Sequence, residues 1–224
     1  MTFTALDVQN KIAELSAPGT PFEMRDFTVA GEIRRGFAAA PTDLVQLLQA
    51  GRGHGDKPFV VYEDQRLSFD EFFVAVDQLG KQLRERYGIR KGDRVAIAMR
   101  NCPQWSIAFV ATVFCGGIAV PLNSWGKTDE LVYGLEDCGA SLLVCDPQRL
   151  ALLAGTALGD TLPIIVAGGD QDYPADNVTD FDQVLAEATS GSFAVAEVSP
   201  EDPAMIMYTS GSTGMPKGTV HLHI

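Results

Sequence analysis

Between Tyr208 and Gly218 the chain reads YTSGSTGMPKG. Thr209, Ser210, Ser212 and Thr213 place four hydroxyls within five residues, and Gly211, Gly214 and Gly218 let the backbone come close to a ligand. Lys217 adds one full positive charge, and Pro216 stiffens the chain just before it. Successive main-chain N–H groups in such a turn form an anion-binding nest. Each charge-assisted hydrogen bond to a phosphate contributes roughly 1.5–3 kcal/mol. The chemistry these residue types suit is the grip of a polyphosphate.

Two better-defined loops do not fit. A Walker A loop needs G-x-x-x-x-G-K-[ST] opening a helix, whereas Lys217 follows a proline, precedes a glycine and leads into TVHLHI, a β-branched run that reads as a strand. A nucleophile elbow needs G-x-S-x-G, and Ser210 stands where the first glycine belongs. The segment GRGHG (51–55) also carries spaced glycines, but no apolar strand precedes it, and it reads as a plain loop.

Strands and helices must hold the loop in place. AMIMYT (204–209) is an apolar strand delivering the chain into it. Upstream, FVVYED, RVAIAM (94–99), IAVPL, SLLVCD (141–146) and LPIIVA (162–167) read as strands. Ser68 and Glu71 form a capping box for a helix whose Phe69, Phe72, Phe73, Val76, Leu79 and Leu83 share one face, closed by Gly88. A further helix spans about Pro103 to Cys115, and Thr128 is expected to cap another, with Asp129 and Glu130 in its first turn and Gly139 at its end. This alternation predicts an α/β fold, a largely parallel β-sheet flanked by helices. Residues 1–57 read as an N-terminal arm with short helices near 5–15 and 42–49, and residues 58–224 as one α/β unit. The stretches GGDQDYPADNVTD and TSGSFAVAEVSPEDP read as polar connections.

With 224 residues the chain can bury a sizeable core, and its net charge of −12 argues against a nucleic-acid or anionic-membrane partner. A single bound nucleotide needs only a local pocket. The uncharged run Ser106–Ser124 is broken by Gly116, Gly117 and Pro121, so it suits a core helix and strand rather than a transmembrane segment. The start of the chain, MTFTALDVQNKIAEL, lacks the pattern of a signal peptide. Cys102, Cys115, Cys138 and Cys145 have no paired spacing and read as reduced, mostly buried thiols in a cytoplasmic protein, without a metal site. Trp105 and Trp125 are expected to be packing anchors, and RERYGIRKGDR a solvated basic patch. The acidic pairs Asp70–Glu71 and Asp129–Glu130 fit helix first turns rather than a catalytic carboxylate pair.

Thr209 through Gly218 resembles the phosphate-binding signature of the adenylate-forming enzymes, approximately [ST]-S-G-[ST]-T-G-x-P-K-G, at every position. PFVVYEDQRLSFDEFF, GIRKGDRVAIAMRNCPQW, GGIAVPLN and LVYGLEDCGASLLVCD are similar to other segments of that family, closest to its acyl-CoA synthetases. The resemblance runs from about residue 40 to the end and implies the large N-terminal domain of such an enzyme. It implies that ATP with Mg2+ and a carboxylic acid give an acyl-adenylate and pyrophosphate, followed by thioester formation with CoA. It further implies that Thr209, Ser210, Gly211, Ser212, Thr213, Gly214, Lys217 and Gly218 bind the nucleotide, Lys217 acting in catalysis. His223 falls where the family often has a histidine after the K-G, which implies a place on the carboxylate side; paired with His221 alone it makes no metal site. The family's adenine, ribose and hinge motifs lie beyond residue 224, so the chain reads as an N-terminal portion inactive by itself. Three alternatives stay open: an amino-acid adenylation domain, a non-catalytic nucleotide- or phosphate-binding module, and a fragment whose sheet edge pairs with another copy as a homodimer.

Overall fold

The longest helix begins where the sequence sets its cap. In the computed structural model, which describes residues 4–169, 173, 175–188, 193–209 and 215–224, α3 spans Phe69–Glu85. Ser68 Oγ accepts the Glu71 N–H at 3.2 Å while the Glu71 carboxylate accepts the Ser68 N–H at 2.8 Å. Phe72, Phe73, Val76, Leu79 and Leu83 point inward from it.

Behind α3 come β5 (Arg94–Ala98), α4 (Pro103–Phe114), β6 (Ile118–Pro121), α5 (Thr128–Asp137) and β7 (Leu142–Cys145). Then follow α6 (Pro147–Leu152), α7 (Ala157–Thr161), β8 (Ile164–Val166), β9 (Val178–Asp180) and α8 (Phe181–Ala186), and finally β10 (Pro203–Thr209) and β11 (Lys217–Leu222). The seven strands form one sheet in the order β11-β10-β6-β5-β7-β8-β9. Every pairing in it is parallel except β10 with β11.

Strand alternation gives the sheet two apolar faces. Val95, Ile97, Leu142 and Val144 face α3, α4 and α8 in one core cluster, and Ala96, Ala98, Leu143 and Cys145 face α5 in the other. Near-continuous apolar runs such as RVAIA are what a sheet covered on both sides requires. The α/β reading with a largely parallel, helix-flanked sheet therefore holds.

Several expectations need correction. FVVYED does not enter the sheet: β3 (Pro58–Tyr62) pairs only with β4 (Gln65–Ser68) in a separate hairpin. The arm holds α1 (Ala5–Leu15) and α2 (Leu44–Gln49), but also a hairpin of β1 (Met24–Val29) and β2 (Glu32–Phe37) that the sequence reading lacks. The N-cap of α5 is Lys127 rather than Thr128, with no side-chain cap bond. GGDQDYPADNVTD ends in the edge strand β9, and GRGHG is a 3-10 turn.

RERYGIRKGDR is less a solvated patch than a set of ties. Arg84 lies over the Phe193 ring, Arg86 pairs with Glu187 at 2.6 Å, and Lys91 pairs with Asp202 at 2.6 Å. Trp105 does pack, stacked on Phe109 with ring centroids 5.6 Å apart, but Trp125 is 76% exposed. The four cysteines are free, two buried and two half-buried. Burial pushes the Cys115 thiol up to about 12 and Cys138 to about 11, so neither is a thiolate near neutrality. Among the described residues no helix is long and apolar enough to cross a membrane.

Candidate active site

β10 enters the sheet beside β6, with Met205 opposite Ala119, and its carboxyl end carries Thr209. The chain returns as β11 with Lys217 directly opposite Thr209 and Gly218 opposite Tyr208. The two ends of the signature are thus set side by side by antiparallel register. Ser210, Gly211, Ser212, Thr213 and Gly214 lie outside the described residues.

Gly218 leaves room for its neighbours on β10. A Cβ there would stand 3.0 Å from Ile206 Cγ2 and 3.4 Å from Tyr208 Cζ. Tyr208 in turn donates from its hydroxyl to Asp137 Oδ2 at 2.5 Å, tying the strand before the loop to the last residue of α5. Burial raises the pKa of the Tyr208 phenol, and the Asp137 carboxylate that accepts its proton pushes it the same way, so the phenol stays a donor.

Beneath the loop's first residue lies a cavity of about 190 Å³, lined by Asn123, Glu130, Tyr133, Tyr208, Thr209 and Pro216 among others. Asn123 donates to Glu130 at 2.9 Å within that lining. Lys217 is exposed and makes no ion pair or side-chain hydrogen bond among the described residues. In a chain of net charge −12, a lysine left without a carboxylate at the mouth of a hydroxyl-rich loop fits an anionic ligand.

His223 is not brought to this place. It lies one residue beyond β11, at the opposite end of that strand from Lys217, roughly 20 Å along an extended chain. Its backbone N–H donates to Asp202 O at 3.1 Å, and its imidazole is buried. His221, by contrast, is exposed, so the two do not share one environment. Among the described residues no group of three or more potential metal ligands occurs.

The Tyr208–Asp137 tie was not visible in the sequence. The partners stand 71 residues apart, and nothing local marks the phenol for that carboxylate.

Residues 47–223 match the family model of AMP-binding enzymes. A 3-hydroxybenzoate/4-hydroxybenzoate–CoA ligase of Thauera aromatica is 30% identical over 175 residues, which cover 77% of this chain and 32% of that protein. A crotonobetaine/carnitine–CoA ligase of Salmonella paratyphi A is 30% identical over 177 residues, covering 76% of this chain and 34% of that protein. Among solved structures, an anthranilate CoA ligase in complex with anthranoyl-AMP superposes with a TM-score of 0.74 at 26% identity, covering 82% of this chain and 36% of that one. The chain spans about a third of the length of these relatives. Fold, signature register and a family match over residues 47–223 agree: the chain belongs to the AMP-binding enzyme family.

Proposed function

We propose that this chain supplies the phosphate-gripping part of an ATP-dependent acid–CoA ligase. The observation that carries the reading is the register of the hairpin, which sets Lys217 beside Thr209 at the carboxyl end of an inner strand of the sheet. Thr209, Ser210, Ser212 and Thr213 would offer hydroxyl donors, the loop backbone its N–H groups, and Lys217 its charge, to the β- and γ-phosphates of ATP. Mg2+ would travel with the triphosphate and offset part of its charge.

Attack of a carboxylate oxygen on the α-phosphorus forms an acyl-adenylate and breaks the bond to the β-phosphate bridging oxygen, so negative charge grows on departing pyrophosphate. Donors already aimed at that charge stabilise the transition state more than the ground state. The acyl-adenylate would then yield to the CoA thiol, releasing AMP. The names of the relatives support a carboxylic acid as co-substrate, aromatic in one and of the carnitine type in another. His223, at the far end of β11 from Lys217, would stand on the carboxylate side, as the resemblance implies.

Calorimetric titration of the chain with MgATP tests the reading. Saturable binding that Lys217→Ala weakens is expected; binding indifferent to Lys217 would overturn it. In an intact ligase of the proposed kind, exchange of labelled pyrophosphate into ATP, dependent on added benzoates or aliphatic acids, then separates a ligase from a module that only binds nucleotide.

A further inference from the structure

The N-terminal arm carries a helix whose apolar face is left uncovered. Thr4 caps α1: its Oγ1 accepts the Asp7 N–H at 3.2 Å while the Asp7 carboxylate accepts the Thr4 N–H at 2.9 Å. Val8, Ile12 and Leu15 follow at i, i+4 and i+7 and share one face with Ala5, while Asp7, Asn10, Lys11 and Glu14 take the other. Yet no residue of α1 is buried, and Ile12 is 60% exposed. A helix of 11 residues falls short of the about 12–15 at which isolated helices become even marginal in water. Its apolar face calls for a surface.

The same arm helps to build one. A cavity of about 1070 Å³ is lined by Phe27 and Val29 of the β1–β2 hairpin and by Val220 and Leu222 of β11, among others, but by no residue of α1. Glu201, also in the lining, accepts the Ala30 N–H at 2.8 Å and so ties down the turn of the hairpin. A helix of 11 residues fills on the order of 1,300 Å³, of which only the apolar half has to enter. The charges agree in sign: the lining holds Arg25, Arg34 and Arg35 against Glu32 and Glu201, and α1 holds Asp7 and Glu14 against Lys11.

Within one copy the helix and the groove do not meet. The connection from α1 to β1 is a hydrogen-bonded turn. Thr20 N–H donates to Ala17 O and Glu23 N–H to Thr20 O, both at 3.1 Å. Gly19 N–H donates to the Glu23 carboxylate at 2.7 Å, and Ala38 N–H to Glu23 O at 2.7 Å. Redirecting α1 into its own groove would disrupt this turn, whereas another copy can present its α1 with the turn intact.

We infer that the groove receives α1 of a second copy of this chain, with the face of Val8, Ile12 and Leu15 set against Phe27, Val29, Val220 and Leu222. Each copy carries both helix and groove, so the contact is made twice about a two-fold axis and closes the pair. It engages side chains of β11 rather than its free backbone groups, and it stands apart from the proposed function.

Sedimentation equilibrium of the whole chain tests the inference, with the melting temperature of each variant as a control on folding. Dimers are expected, their dissociation constant raised about tenfold or more by Ile12→Asp and likewise by Val220→Lys. Both positions are exposed, so melting should not move. The two variants are then mixed: the Val220→Lys chain keeps a sound helix and the Ile12→Asp chain a sound groove. The mixed pair should therefore associate more tightly than either variant with itself, and a mixture that gains nothing would overturn the inference. A chain that stays single at every attainable concentration would overturn it as well. Association lowered by Val220→Lys but indifferent to Ile12→Asp would replace it with pairing of strand edges. Association lowered by Ile12→Asp but indifferent to Val220→Lys would replace it with helix against helix.

Discussion

A lysine closing a hydroxyl-rich turn acts on its ligand chiefly as a point charge, so its removal should cost rate more than stability. Lys217 is exposed, and Lys217→Ala is expected to leave thermal unfolding of the chain unchanged while lowering acid-dependent adenylation by about 10²–10³ in an intact ligase of the proposed kind. Equal loss of melting temperature and rate would instead mark the lysine as structural. Tyr208→Phe should behave in the opposite way. It keeps the ring over Gly218 but deletes the bond to Asp137, costing about 1 kcal/mol, or roughly 2–4 °C in melting temperature. His223 titrates against the fold. Only 5% exposed, with neither ring nitrogen partnered, it has its pKa lowered from 6.5 by burial and by Lys91, against the opposing pull of Asp43 and Asp202. The unfolded chain therefore binds the proton first, and stability should fall as pH drops below about 6.5 until the folded-state pKa is passed. Urea unfolding across that window should show the slope, and His223→Gln should flatten it. The signature spelled out Lys217 and Thr209 in the sequence because their chemistry is local; the burial of His223 and the reach of Tyr208 depend on elements far away in the chain.

At the scale of elements, local signals decided what could be read. The α3 cap was legible because Ser68 and Glu71 satisfy each other's backbone within one turn. Ser68→Ala is expected to cost about 1 kcal/mol, measurable as a shift of the urea midpoint with unchanged slope; no shift would mean that packing of Phe72 and Leu79 alone sets where the helix begins. The sheet strands were legible because burial on both faces leaves unbroken apolar runs. The β1–β2 hairpin was not: its exposed positions mix charged residues with Ile33 and Phe37, its strands are mostly exposed, and its turn is built on Ala30 and Gly31, both at positive φ. An alanine at φ 49° is a poor advertisement for a turn that glycine or asparagine usually marks. β3 was read as a strand correctly but placed wrongly, since nothing in FVVYED says that its partner is the next four residues rather than the sheet. Trp125 misled for the same reason: side-chain type suggested packing, whereas the connection after β6 holds it out at the rim.

Across the whole molecule, the sheet ends at β11 with one row of backbone groups unpaired by any other strand of the described residues. Val220 on that strand is 53% exposed, and with residues of the β1–β2 hairpin it lines a cavity of about 1070 Å³. An open edge of this kind is a template for pairing with another chain, which charge is one means of opposing. Here the opposing term is global rather than local, a net charge of −12 on each copy, and it acts through solvent. Screening shortens its range from about 10 Å at 0.1 M salt to about 3 Å at 1 M, while edge pairing and apolar contact are hardly affected. The two terms therefore separate by ionic strength. Sedimentation velocity should show single chains at low salt and low concentration, with association growing as salt and concentration rise together. Val220→Lys places a charge on the edge itself and should suppress the associated species at every ionic strength. Association that instead weakens with added salt would mean that the contact is made between opposite charges, for which the arginines Arg25, Arg34 and Arg35 of the hairpin are the candidates.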